Sequence, residues 1–387
     1  MHEQAQAVVE TDPRRDRYHV TVQQYIAFRR DGFLVVPGLV LAQDLAELRQ
    51  HTDDLMQGKL PEQCAKRMAD RDLDKDGGVT CQDLEAPPEH LPPHEKAQYF
   101  LRIHMLHRKL ELHERYLLHP RLLDMLEVLI GPDVLAMQTM LFLKPPGKPG
   151  QGWHQDSYYI PTHPDTLCGA WIAIDDADEQ NGAMWFAKGS GHEPIYPPCP
   201  EAGYGFGDHF VSDIGYVQNV SDPNDATNTL APIANRYDQV LAPAKAGDVV
   251  FFNGHVLHRS KKNFASDRYR RAFVGHYCNA RSFTQWGADS PSGDVHASQV
   301  VDPITRMTNG SHILARGDTH LPFARPRFGT ACAALLSGEQ RRAQSQLAAR
   351  TIASLNHNLL GCATAAIDRS DDDGDSSAET AAADQGY

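Results

Sequence analysis

AGDVVFFNGHVLHRS, residues 246–260, reads as turn, buried strand, turn and the start of a second strand. Ala246-Gly247-Asp248 is turn chemistry, and Val249–Phe252 is an unbroken apolar run. Asn253-Gly254 is the dipeptide that most strongly marks a tight reversal between strands. Similar short runs rich in Val, Ile, Phe and Trp lie on either side, at Val134–Lys144, Cys168–Asp176, Ala183–Lys188, Gln239–Ala242 and Arg271–Asn279. Gly, Pro and Asn separate them. A series of short strands with turn signals between them predicts an antiparallel sandwich or barrel.

The N-terminal part has a different texture. Thr21–Arg30 has helical spacing, Asp31-Gly32 stops it, and Phe33–Val36 reads as a short strand closed by Pro37-Gly38. Ala42–Met56 predicts a helix, 58–98 an irregular excursion, and Gln98–Leu118 and Pro120–Ile130 two more helices. Residues 1–18 read as a disordered leader, 19–330 as one catalytic domain with its β core at about 131–285, and 193–237 as a polar insertion. Residues 331–360 predict a helical extension, and 361–387 an acidic disordered tail.

Composition excludes more than it selects. Among 387 residues, 37 Lys+Arg stand against 50 Asp+Glu, a net charge of −13. Asp368–Tyr387 alone holds seven acids and one arginine, so nearly half of that charge belongs to the tail. An acidic chain is a poor tracker of phosphate, so nucleic acid is not an expected partner. No apolar run reaches membrane-spanning length, and the N-terminus lacks the apolar segment of a signal peptide. Seven scattered cysteines without a CxxC pair fit free thiols in the cytoplasm. The oligomeric state is not legible. Histidine is abundant, 20 in all, so spacing must select the functional ones.

Trp153-His154-Gln155-Asp156 is the first selection. In extended backbone, residues i and i+2 project to one face, so His154 and Asp156 can reach one centre. A histidine from His255-Val256-Leu257-His258 would complete a two-histidine, one-carboxylate set, which leaves coordination positions open for oxygen chemistry at Fe(II). An oxygenase of that type commonly needs a 2-oxoacid, whose distal carboxylate calls for the planar fork of an arginine. Asp267-Arg268-Tyr269-Arg270-Arg271 places arginines at the head of the next strand.

With DGFLVVPGL (31–39), QTMLFLKPPG (138–147), WHQD (153–156), CGAW (168–171), NGAMWFAKGSGH (181–192), AGDVVFFNGHVLHRS (246–260) and RYRRAFVGHY (268–277) in this order, the chain resembles the phytanoyl-CoA dioxygenase family of Fe(II)/2-oxoglutarate oxygenases. The resemblance implies a mainly β fold with helices, a double-stranded β-helix (jelly roll, cupin-like) with N-terminal helical packing and C-terminal helices. It implies His154, Asp156 and His258 as Fe(2+) ligands, His258 being preferred to His255 by the pattern His-x-Ser. It implies Arg270 as the 2-oxoglutarate clamp, with Arg271 as the alternative, and Ser260, Gln138 and Trp171 lining the same site. The implied reaction hydroxylates an aliphatic C–H of a small molecule with O2 as second co-substrate, releasing succinate and CO2. The retained Asp156 speaks for oxygen insertion rather than halogenation. Desaturation or epimerisation on the same iron, and a non-catalytic cupin-like binding protein, are the alternatives. Family members act on substrates too varied for this resemblance to choose one, and the 193–237 insertion is the expected seat of selectivity.

Other motifs are weaker. Asp72–Asp83 matches much of a calcium-binding EF-hand loop, but Pro87-Pro88 follows at once and no pairing hand is visible, so it reads as an acidic surface loop. His104, His107 and His113 lack an acidic or cysteine partner in register and read as helix-surface residues. Trp153, Tyr158 and Tyr159 flank the metal motif and either line a pocket or pack the barrel mouth.

Overall fold

In a computed structural model of the chain, the described residues are 17–57, 80–83, 90–92, 95, 100–108, 110–196, 219–220, 230–284 and 312–319. Residues 1–16, nearly all of the calcium-loop motif, most of the 193–237 insertion and the segment from 320 onward, where a helical extension and an acidic tail are expected, lie outside them. The elements begin with α1 (Val22–Asp31), β1 (Phe33–Val36), α2 (Ala42–Met56), β2 (Thr80–Asp83), β3 (Phe100–His104), α3 (Glu111–Leu117) and α4 (Pro120–Leu129). They continue with β4 (Val134–Lys144), β5 (Gly150–His154), α5 (Asp156–Tyr159), β6 (Cys168–Ala173), β7 (Met184–Ala187) and β8 (Asn219–Val220). The last are α6 (Ala231–Ala234), β9 (Gln239–Ala242), β10 (Val249–Asn253), β11 (His258–Ser260), β12 (Arg270–Asn279) and β13 (Ile313–Arg316).

Local chemistry explains the helix ends. Thr21 and Gln24 form a reciprocal capping box at the start of α1, and Gly32, at φ 83, closes its end in the left-handed conformation. Pro120 opens α4 with the His119 side chain as cap. Arg17 and the Tyr18 backbone N–H both bind the buried Asp124 carboxylate on α4, which ties down the chain just before α1.

Among the described residues, eight strands form a large antiparallel sheet in the order β1-β10-β6-β12-β4-β3-β2, with β13 also on β4. A smaller sheet runs β8-β5-β11-β7-β9. From β4 to β7 the chain alternates between the large and the small sheet, and after β9 it does so again through β12, so two antiparallel sheets wind together as a double-stranded β-helix. This is the expected jelly roll.

Period-two alternation sorts the large sheet into two faces. Leu141, Leu143, Ile172, Phe251 and Phe273 pack with Leu48, Leu55, Tyr116, Leu122 and Leu126 of α2, α3 and α4. Their neighbours Met140, Phe142, Trp171, Phe252, Ala272 and Val274 pack instead with Met184 and Phe186 of the small sheet. The cavity lies on this inner side.

One expectation fails on the way. The helix predicted over Gln98–Leu118 is strand β3, a single 3-10 turn (Leu106–Arg108) and a shorter helix, α3. Pairing of Arg102, Ile103 and His104 with Phe142, Leu141 and Met140 of β4 overrides the local preference. His107 and His113 are accordingly buried, at 2% and 0% exposure, not surface residues of one helix. Thr80–Asp83, the end of the calcium-loop motif, pairs as a strand with β3.

Candidate metal centre

His154 ends β5 and His258 opens β11, and the two sit directly opposite each other in the antiparallel register. After His154 the chain keeps Gln155 extended (φ −121, ψ 128) and turns into α5 at Asp156. The Gln155 amide holds that turn, donating to the carbonyls of His255 (2.9 Å) and Pro194 (3.0 Å). Gly254 lets the two segments close: its carbonyl accepts from Ser157 N, and a Cβ there would stand 2.0 Å from Ser157 Oγ.

Each imidazole is oriented by the carbonyl two residues before it. His154 Nδ1 meets the Gly152 carbonyl at 2.8 Å, and His258 Nδ1 meets the Val256 carbonyl at 3.0 Å. A carbonyl can only accept, so each Nδ1 carries a proton and each Nε2 is the ring nitrogen left to face the centre. Those two Nε2 atoms lie 3.6 and 3.7 Å from Asp156 Oδ1, and all three donors fall within 4.8 Å of one another. Metal–ligand bonds of about 2.1 Å at right angles separate donors by about 3 Å, so an ion needs only slight closure of the set. Burial, and then the charge of His258, push His154 down to about 3, keeping it neutral as a ligand must be. Burial works to raise Asp156, but His258, a hydrogen bond from His276 and His154 outweigh it and hold the carboxyl below its usual range.

A cavity of about 210 Å³ adjoins these atoms, lined among others by Gln138, Trp171, Ser260, Arg270 and His276. Arg270 is 3% exposed, and its guanidinium makes no hydrogen bond to any described residue. It stands over the rings of Phe142 (5.5 Å) and Trp171 (5.7 Å). Burial brings it down to about 10, with Asp175 opposing weakly, so it is cationic at neutral pH. Ser260 Oγ accepts from Gln151 N (3.3 Å) and from buried Lys144 Nζ (3.4 Å), which leaves its own proton to donate elsewhere.

The alternatives named from the sequence point elsewhere. Arg271 lies on the opposite face of β12, donating to Asp175 at 2.8 and 2.9 Å and to Asp53. His255 is engaged by Asp165 and by the Glu193 carbonyl, away from the triad. Of the flanking aromatics, Tyr159 lines the cavity, whereas Trp153 is buried beneath the Arg259 guanidinium. Sequence reasoning missed His276 and Lys144. Both share the inward register of their strands, His276 six residues after Arg270 and Lys144 six after Gln138, and that even spacing was the available signal.

A jelly roll that joins two histidines, one carboxylate and a buried arginine without a hydrogen-bond partner among the described residues around one cavity defines a class of enzyme, the 2-oxoglutarate-dependent non-haem iron dioxygenases. The family model for phytanoyl-CoA dioxygenase (PhyH) matches residues 28–272, and the chain belongs to that family. Among its relatives, phytanoyl-CoA dioxygenase domain-containing protein 1 of Danio rerio is 25% identical, covering 70% of this chain and 94% of that protein. The peroxisomal phytanoyl-CoA dioxygenase of Homo sapiens is 27% identical over 68% of this chain and 70% of its own. Solved structures show a weaker likeness. EctD from S. alaskensis with bound Fe is 20% identical (70% of this chain, 82% of that chain, TM-score 0.48). The epimerase SnoN with Fe3+, alpha ketoglutarate and nogalamycin RO is 18% identical (71% and 91%, TM-score 0.48).

Proposed function

We propose that this enzyme hydroxylates an aliphatic C–H of a small organic molecule, with Fe(II) on His154, Asp156 and His258 and the distal carboxylate of 2-oxoglutarate on Arg270. The observation that carries this reading is the unpaired, buried Arg270 guanidinium facing the same cavity as the triad. A buried cation is costly unless an anion meets it, and a binding module without an oxoacid has no use for one. Iron, when bound, supplies the oxygen activation that couples decarboxylation of 2-oxoglutarate to oxidation of the substrate.

The chain's own residues do the rest. His154 and His258 offer their Nε2 atoms and Asp156 supplies the negative charge. Arg270 presents its fork to the carboxylate and Ser260 donates a hydroxyl proton beside it. Trp171, Phe142, Met140 and Phe252 keep that corner apolar, and Gln138 completes the wall. The cytoplasm is the proposed compartment; among the described residues no helix is long and apolar enough to cross a membrane. Anaerobic Fe(II) with 2-oxoglutarate should give a weak visible charge-transfer band in the wild type and none in Arg270→Met at matched oxoglutarate concentration. An equal band in both would remove Arg270 from the site. Screening succinate release across a compound library identifies the substrate.

A further inference from the structure

Asp156 has two carboxylate oxygens, and Oδ1 is the one 3.6 and 3.7 Å from the two histidine Nε2 atoms. Oδ2 is 2.8 Å from His276 Nε2. On the far side of that ring, Gln138 Nε2 is 2.9 Å from His276 Nδ1. An amide nitrogen can only donate, so Nδ1 is the acceptor and the imidazole proton sits on Nε2. The hydrogen bonds therefore run in one direction: Gln138 N–H to His276 Nδ1, then His276 Nε2–H to Asp156 Oδ2. His276 is 3% and Gln138 2% exposed, so water does not compete for these bonds. The two residues sit opposite each other in the β12–β4 register, next to the irregularity between His276 and Tyr277, on a sheet that contributes none of the three ligands.

We infer that Gln138 and His276 are positioning residues for the metal centre, fixing Asp156 as a one-oxygen ligand. The inference rests on the reading of Asp156 as a ligand and adds what holds it. With Oδ2 occupied, the carboxylate cannot turn both oxygens to the ion. Coordination through both would leave two positions, enough for an oxoacid chelate and nothing for the second co-substrate. The chain of bonds also ties Asp156, on α5 just beyond the small sheet, to the large sheet's inner face, so the centre stays aligned with Arg270, which lies on the same strand face as His276.

Binding of Co(II), which is stable in air and has coordination-sensitive visible bands, tests this without turnover. His276→Phe keeps a ring and removes the donor; it should weaken Co(II) binding 10- to 100-fold, as loss of an outer partner of a ligand typically does, and change the band intensity. His276→Gln places an amide nitrogen near the lost Nε2 and should recover affinity to within about threefold of wild type, a rescue that simple packing would not produce. Gln138→Leu should cost less, about three- to tenfold. His154→Ala separates the two levels of the argument. If it leaves binding intact, the ligand assignment fails; if it abolishes binding while His276→Phe keeps wild-type affinity and spectrum, the positioning role fails. Should His276→Phe not fold, as judged by circular dichroism, wild-type Co(II) affinity in Gln138→Leu overturns the inference.

Discussion

Arg270 and Arg271 are neighbours in the chain and opposites in environment. Arg271 is saturated: the Asp175 carboxylate takes two of its guanidinium nitrogens, Asp53 takes a third contact, and its pKa rises despite burial. Arg270 is more deeply buried and, among the described residues, has no carboxylate hydrogen-bonded to it. A strand places consecutive residues on opposite faces, so one arginine belongs to the scaffold side of the sheet and the other to the cavity side. The difference separates a charge whose partner is part of the fold from one that, among the described residues, has none.

The sharpest ways to break this contrast act on the cavity side. His154→Ala or Asp156→Ala should lower iron-dependent succinate release at least about a thousandfold, since each removes one of the three proposed ligands. Arg270→Met should raise KM for 2-oxoglutarate by about a hundredfold, in line with the 2–5 kcal/mol attached to truncating one partner of a buried charge pair. The Tm of the metal-free protein should stay level or rise, because an uncompensated buried charge is gone. A fall of many degrees would make Arg270 structural. Metal should stabilise the wild type by about 2.7 kcal/mol at a hundred times its Kd, read as a rise in Tm that chelator reverses and Asp156→Ala lacks.

On the scaffold side the pattern inverts. Arg271→Met strands Asp175 and should cost about 2 kcal/mol of stability, a drop of several degrees in Tm, while KM for 2-oxoglutarate stays within about threefold. His255→Asn should be the mildest, with succinate release within about twofold of wild type.

Much of this was legible in the sequence because it is local. Phe33–Val36, Ala42–Met56, Val134–Lys144 and Gln239–Ala242 stand where the apolar pattern put them. The strand Phe100–His104 was read as helix because its identity comes from the edge of β4, about forty residues further on, and a window of sequence does not contain that edge. Ile313–Arg316 was missed for the same reason, being four residues that become a strand only against Val134–Ala136. The WHQD motif and the HxS pattern named the residues that the structure brings together. Arg270 and Arg271 stand side by side and no local sequence pattern separates them, whereas the pleat puts them on opposite faces. His276 carried no motif; its partnership with Asp156 exists only after β12 and α5 meet.

The direct pairing of His154 with His258 has a mechanical consequence. An ion bridging them would be a removable cross-strand clasp that closes a loop of roughly a hundred residues containing β6 to β10. Loop closure of that length is entropically expensive in the open chain, so a clasp made only in the native state shifts the balance toward the closed sheet. β5 and β11 are short, five and three residues, and have little ladder of their own to resist parting. Loading with metal should therefore slow amide exchange first along these two strands, and leave the helix-backed large sheet almost unchanged.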